Sequence, residues 1–273
     1  MGRLEGILLC TDLDGTLLRG DRTISRENLE AIEHFKREGG YFTFVTGRMP
    51  FFVSGICETV QPNAPFGCIN GGGIFDHRTQ QYIWTQEAPR EIMQLAAYAG
   101  QALPGIGVQV NCFGRIFFCQ ENRVMEEFRA SSAVPYLPAV YEDIHEPIAK
   151  ILFGVEREEE MQRLQALLAA HPLASDFDFI RSEPTLFEIL PKGVNKGAVL
   201  PRLAAHLGIS PARTVAVGDY DNDISMLRAA GVGYAVANAS PAAKAAADRI
   251  TVSNDEHAIA AIVAELESGA LAI

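Results

Sequence analysis

Apolar positions along the chain come in short runs that stop abruptly at polar clusters. Residues 6–10 (GILLC) are long enough for a buried strand, and the polar cluster 11–16 follows at once. Ser25 has the side chain of a helix N-cap; Leu29, Ile32 and Phe35 follow at helical spacing, and Gly39-Gly40 supplies the stop. Residues 41–45, aromatic and β-branched, predict a second strand that ends at Thr46-Gly47-Arg48, and Pro50 suits the first turn of another helix. This strand–helix–strand–helix alternation is the pattern of a parallel sheet with helices on both faces.

The same grammar returns near the C-terminus. Residues 196–207 predict a helix with Gly208 as its stop, and 214–217 predict a strand that runs into Gly218-Asp219-Tyr220-Asp221-Asn222-Asp223. A helix over 224–230, a strand over 234–236, a helix over 242–247 and a last strand over 249–252 follow. Between about 82 and 190 the polar strand-ends are missing. Residues 91–101 and 157–170 are amphipathic helices, the second opened by Glu158-Glu159-Glu160, where negative charge is favourable. Residues 109–111 and 115–119 flank Cys112-Phe113-Gly114 as a hairpin, and 148–155 and 185–190 read as further strands. The expected class is α/β: a doubly wound, mostly parallel, Rossmann-like sheet core from residues 1–82 and 191–273. An α+β module, 83–190, is inserted into it, with hinges near Ile83 and Leu190.

Composition narrows the function. With 273 residues there is room for one large domain or two modest ones, and 48% hydrophobic residues exclude wholesale disorder. A net charge of −11 leaves no electrostatic footprint for nucleic acid or an anionic membrane. The uncharged run 92–114 carries Pro104, Asn111 and several glycines and glutamines, so it is a poor membrane span. The apolar run 7–10 is too short for a signal peptide and meets Asp12 directly. Five cysteines without a CxxC pair argue for reduced thiols, a cytoplasmic chain and no thiolate zinc site.

Three predicted strands end in polar clusters, at Asp12 and Asp14, at Thr46 and at Asp219. In an open parallel sheet ligands bind beyond the carboxyl ends of the strands, so these residues are expected to share one crevice. Crowded carboxylates repel unless a cation sits among them, and oxygen donors without His or Cys point to Mg²⁺.

Asp12-Leu13-Asp14-Gly15-Thr16 resembles the first motif of the haloacid dehalogenase-like hydrolases. Thr46-Gly47-Arg48, Lys196 and Gly218-Asp219-Tyr220-Asp221-Asn222-Asp223 resemble the second, third and fourth motifs, in the family's order. Asn70-Gly71-Gly72, Pro191-Lys192-Gly193-Val194-Asn195-Lys196-Gly197 and Asn238-Ala239 are similar to the Cof-type subgroup of sugar-phosphate and small-metabolite phosphatases, which carry a cap between motifs two and three. The chain departs from that subgroup at Gly72, usually Ala, at Val236-Ala237, usually Met-Gly, at Ala258-Ile259, usually Gly-Val, and at Tyr220, usually a small residue. None of these departures removes a catalytic group.

The resemblance implies Mg²⁺-dependent hydrolysis of a small phosphorylated metabolite, in the first place a sugar phosphate, through an aspartyl phosphate. Asp12 would be the nucleophile and a metal ligand. Asp14 would be the general acid and base, with Thr16 orienting it and its main-chain carbonyl on the metal. Asp219 would be the second carboxylate ligand and Asp223 a third, through water. Leu13, Thr46, Gly47 and Asn222 would bind phosphate oxygens, and Lys196 would supply positive charge for phosphoryl transfer. Arg48 and Asn70, together with Arg115 in the hairpin and Arg181 before the return strand, are the candidates for contacting the rest of the substrate, which the cap, 83–190, would select. Expected partners are small phosphorylated metabolites, with no nucleic acid and no membrane, and no oligomeric state is specified. Two other readings use the same residues: a phosphomutase or phosphotransferase on this scaffold, and a non-catalytic phospho-acceptor module. Asp14 and the insertion speak against the second of these, because a stable phospho-signal needs no general acid.

Overall fold

In the computed structural model, which describes residues 4–132 and 134–269, the first apolar run forms strand β1 (Leu8–Thr11), buried along its whole length. Ser25 caps helix α1 (Arg26–Arg37), its hydroxyl accepting from the Asn28 amide. Glu27 stands in the first turn of α1 and Lys36 and Arg37 in the last, as the helix dipole favours. β2 (Tyr41–Phe44) pairs parallel with β1. Pro50 opens a short 3₁₀ turn that leads into α2 (Ser54–Val60). Three strands that the hydrophobic pattern does not reveal follow: β3 (Phe66–Cys68), β4 (Gly73–Asp76) and β5 (Gln81–Thr85), a separate antiparallel sheet in that order. They are three to five residues long and carry Gly67 and Gly73, too short for a periodicity to register.

The chain divides into two compact units, one of Met1–Thr85 with Asn195–Ile273 and one of Gln86–Val194. The second begins with α3 (Ile92–Ala102), the hairpin β6 (Gly107–Cys112) and β7 (Ile116–Gln120), and α4 (Arg123–Ser132). It continues through β8 (Ile148–Gly154), α5 (Glu158–Ala169), β9 (Phe177–Glu183) and β10 (Leu186–Pro191). Its sheet runs β7-β6-β8-β10-β9 with every neighbour antiparallel. Val108, Val110, Ile151, Phe153 and Ile189 pack in one hydrophobic core with Ile92, Leu95, Leu164 and Leu168 of α3 and α5. β9 escapes the sequence reading because Asp178, Arg181, Ser182 and Glu183 interrupt its alternation. Arg181 is therefore within a strand of its own, opposite Phe187, that directly precedes the return strand β10.

The chain re-enters the first unit at α6 (Lys196–Leu207), capped by the Asn195 side chain on the Ala198 amide and stopped by Gly208 at φ +69°. β11 (Thr214–Gly218), α7 (Ile224–Ala229), β12 (Val232–Ala235), α8 (Pro241–Ala246), β13 (Arg249–Ile250) and α9 (Ala258–Ser268) complete it. The sheet order is β13-β12-β11-β1-β2, all parallel. From the central pair the chain winds outward in both directions, β1 to β2 on one side and β11 to β13 on the other. The carboxyl ends of β1 and β11 are thus the switch point where an open α/β sheet leaves a crevice. No helix among the described residues is long and apolar enough to cross a membrane. Cys10, Cys57, Cys68, Cys112 and Cys119 are free thiols, all buried or half-buried.

After β3 the backbone turns through three consecutive left-handed residues, Ile69 (φ +56°), Asn70 (φ +52°) and Gly71 (φ +99°). A β-branched residue in this region is strained by roughly 1–3 kcal/mol, so the surroundings must hold it there. Gly71 shows how: a Cβ on it would lie 2.1 Å from the Asn195 carbonyl oxygen. The turn is pressed directly against the start of α6. Gly71→Ala should therefore lower stability by about 2–4 kcal/mol in urea unfolding; wild-type stability would contradict this account of the turn.

Candidate active site

The residue after β1 is Asp12, whose amide donates to the Val217 carbonyl at 2.8 Å and so ties it to β11. One carboxylate oxygen each of Asp12, Asp219 and Asp223 lie within 4.8 Å of one another. Lys196, the first residue of α6, donates to Asp12 Oδ1 at 2.6 Å and to Asp223 Oδ1 at 2.6 Å. Its side chain is 1% exposed, and that of Asp223 is 0% exposed. The other oxygen of Asp223 accepts from the amides of Asp219 (2.9 Å) and Tyr220 (3.1 Å), which fixes the loop after β11.

Two further contacts lock this loop to the one after β1. Thr16 donates its hydroxyl proton to Asp219 Oδ1 at 2.8 Å. The expectation that Thr16 orients Asp14 is corrected here: its hydroxyl bonds instead to the carboxylate on the opposite loop. Gly15 sits at φ +78°, and a Cβ there would come within 2.5 Å of Asp219 Oδ2, so only glycine leaves room for that carboxylate. Asn238 Nδ2 donates to the Gly15 carbonyl at 2.8 Å and Asn238 Oδ1 accepts from the Asn254 amide at 3.0 Å, clasping the first loop from outside. Asn238 was legible only through the family pattern, since a lone Asn-Ala carries no chemistry of its own.

Asp14 stands apart from the three clustered carboxylates. Its side chain is 45% exposed, and Arg48 forks onto it, Nε donating to Oδ2 at 2.8 Å and Nη2 to Oδ1. Thr46, Gly47, Asn70 and Asn222 form a hydrogen-bonded and closely packed group. The Asn70 amide donates to the Thr46 carbonyl at 3.0 Å, and the Arg48 amide to Thr46 Oγ1 at 3.2 Å. Gly47 lies against the Asn70 side chain, where a Cβ would be 3.0 Å from Oδ1, and Asn222 Nδ2 donates to Asn70 Oδ1 at 3.1 Å. The left-handed turn at Ile69 and Asn70 is thus what aims Asn70 at Asn222. The Leu13 side chain is wholly buried, so only its main chain can serve a ligand. Arg115 and Arg181 belong to the second unit, where they pair with Glu146 (3.4 Å) and Glu158 (2.6 Å).

The electrostatics are those of an incompletely neutralised cluster. Burial pushes the Asp12 carboxyl up; Lys196 pulls it down, and the carboxylates of Asp223, Asp219 and Asp14 push it further up. Burial likewise raises Asp219 to about 6, with Asp223 adding to the rise and the Thr16 hydroxyl and Lys196 opposing it. Burial alone would favour neutral Lys196, but Asp12 and Asp223 outweigh it and hold the ammonium charged. Three carboxylates around one ammonium leave a formal excess of two negative charges. An oxygen-only donor set with that deficit fits a hard divalent cation such as Mg²⁺.

Metal-free protein should carry this strain as a pH dependence. Asp219 titrates near 6 when folded and near 3.8 when unfolded, so across that window the folded state keeps a proton that the unfolded state has lost, and stability falls as pH rises. Asp219→Asn removes the contribution. In chelator, its stability relative to wild type should rise by roughly 2 kcal/mol between about pH 4 and pH 7. A difference that stays flat or falls across that range in urea unfolding would refute the assignment.

A family model described as haloacid dehalogenase-like hydrolase matches residues 9–263. The chain is 27% identical over 263 residues to the 5-amino-6-(5-phospho-D-ribitylamino)uracil phosphatase YitU of Bacillus subtilis (strain 168), covering 94% of this chain and 96% of that protein. It is 28% identical over 285 residues to phosphatase YwpJ of the same organism, covering 95% and 99%. A haloacid dehalogenase-like hydrolase from Bacteroides thetaiotaomicron, 25% identical, has a crystal structure that matches with a TM-score of 0.83 over 96% of this chain and 100% of that one.

Proposed function

The chain belongs to the haloacid dehalogenase-like hydrolases, a phosphatase family that acts on small phosphorylated metabolites, and from that premise we propose a Mg²⁺-dependent sugar-phosphate phosphatase that works through an aspartyl phosphate on Asp12. One observation carries the reading: a buried ammonium, Lys196, bridges Asp12 and Asp223 at the switch point of the sheet, with Asp219 in the same group. The 5-phospho-D-ribityl group in the name of the YitU relative supports a polyhydroxylated substrate.

In this reading Asp12 attacks phosphorus as a carboxylate, a form that the Lys196 ammonium 2.6 Å away favours. The ester P–O bond breaks and Asp14 gives its proton to the departing alkoxide. Asp14 then takes a proton from the water that attacks the aspartyl phosphate; phosphate leaves and Asp12 is restored. Arg48 holds Asp14 in a forked pair, so that pair opens when substrate enters. Thr46, the Gly47 amide and Asn222 donate to the phosphoryl oxygens, and Asn70 positions Asn222 from behind. Asp12, Asp219 and Asp223 would hold Mg²⁺, which when bound supplies positive charge beside the transferred group. Gln86–Val194 acts as a cap that selects the substrate.

Two measurements test the chemistry. Asp12→Asn should form no phosphoenzyme and show no turnover on any substrate. Asp14→Asn should lose turnover on alkyl phosphates by about 10²-fold or more, yet recover part of the first step with p-nitrophenyl phosphate, whose leaving group needs no proton. Equal recovery in both variants would contradict these roles. Separately, chelator treatment should abolish hydrolysis and added Mg²⁺ restore it; full activity in chelator would remove the metal from the proposal.

A further inference from the structure

The turn that follows β1 is gripped by residues remote from it in sequence. Asp14 and Leu18 pair across the turn as an isolated parallel bridge, and the Leu18 amide donates back to the Leu13 carbonyl at 2.8 Å. Asn254, buried in the 3₁₀ turn before α9, donates its Nδ2 to the Leu18 carbonyl at 2.9 Å. The Asn254 amide donates to Asn238 Oδ1 at 3.0 Å, and Asn238 Nδ2 donates to the Gly15 carbonyl at 2.8 Å. Asp255 Oδ1 accepts from the Gly20 amide at 3.0 Å.

The grip is itself firmly seated. Ser253 caps the turn that carries Asn254, its hydroxyl (2.6 Å) and its amide (3.2 Å) both donating to Glu256 Oε2. α9 follows, buries Ile259, Ile262 and Val263, and is tied to α1 by the Ala260 amide on Asn28 Oδ1 at 3.0 Å.

The two aspartates of the first motif are therefore held by different means. Asp12 is fixed by its amide on the Val217 carbonyl and by Lys196 on its carboxylate. Asp14 is half-exposed, and its carboxylate rests on Arg48. In the mechanism above that pair opens when substrate enters, so the position of the carboxyl is then set by the main chain that carries it. Asn254 and Asn238 hold that main chain on one side, and Thr16 on Asp219 holds it on the other. A proton passes only between groups within about 2.6–3.2 Å, and a displacement of about 1 Å costs on the order of 100-fold.

We propose that Asn254 is a positioning residue for the general acid: acting through Leu18, and through Asn238 on Gly15, it keeps Asp14 within reach of the leaving-group oxygen. This role rests on the phosphatase reading above and on the part Asp14 plays in it. As the ester P–O bond breaks, the Asp14 proton moves to the departing oxygen and Asp14 is left as a carboxylate. Attack by Asp12 on phosphorus does not pass through the grip. Loss of Asn254 therefore slows esters whose leaving group needs a proton and spares those whose leaving group is stable as an anion.

The test is kcat/KM with Mg²⁺ on three classes of ester: the most reactive of butyl, glycerol and hexose phosphates, then phenyl phosphate, then p-nitrophenyl phosphate. Asn254→Asp keeps the side-chain shape and replaces the donor facing the Leu18 carbonyl with an acceptor. It should lower kcat/KM on the alkyl ester by about tenfold or more and leave p-nitrophenyl phosphate within about twofold. In an Asp14→Asn background the same substitution should cost nothing further on phenyl phosphate, because the group it acts through is gone. Asn238→Ala, at an exposed position, should repeat the pattern, and it decides the matter if Asn254→Asp does not fold. A merely structural role lowers all three classes by one factor and carries the loss into the Asp14→Asn background. Either of those results, or an unchanged kcat/KM on the alkyl ester, overturns the proposal and leaves the phosphatase reading standing. Wild type inactive on every ester overturns the phosphatase reading and this role with it.

Discussion

One buried ammonium holds the first unit's chemistry together. Lys196 Nζ reaches Asp12 after β1 and Asp223 in the loop after β11, each at 2.6 Å, from the first turn of α6. It thereby joins three segments that are remote in sequence. Removing it would leave two buried carboxylates unpaired, the situation that makes breaking a buried ion pair far more damaging than never having built one. Its position also follows from topology. Lys196 is the second residue after the chain returns to the first unit at Asn195, and the same Asn195 both caps α6 and receives the Gly71 turn. The point where the chain re-enters the first unit is thereby anchored to the carboxylate cluster.

Legibility in the sequence tracked how many independent constraints a segment obeys. β1, α1 and β2 were readable because each is buried, bounded and capped in the expected way: Ser25 at the N-cap, a polar cluster at each strand end. The carboxylates were readable because the carboxyl ends of parallel strands converge by construction. What stayed hidden was local or contextual. β3, β4 and β5 are too short to carry a period, and β9 is half-exposed and rich in charge. The Thr16–Asp219 bond was hidden for a different reason: a hydroxyl near two aspartates in sequence bonds to a third from the opposite loop. Asn70-Gly71 is a pair that tolerates the left-handed region, but nothing in the sequence marks Ile69 as left-handed, since a β-branched residue is poorly suited to it.

The carboxylate cluster is poorly neutralised as it stands. Burial raises both Asp12 and Asp219 above the usual carboxylate range, and a single lysine opposes them. Such an arrangement is tolerable because the loops that carry it are immobilised from several sides, by Asp223 on two amides, by Thr16, and by Asn238 on Gly15. Rigid placement of repelling groups is what an ion-dependent site requires: a loop free to relax would simply move its carboxylates apart, and the driving force for binding a cation would be lost.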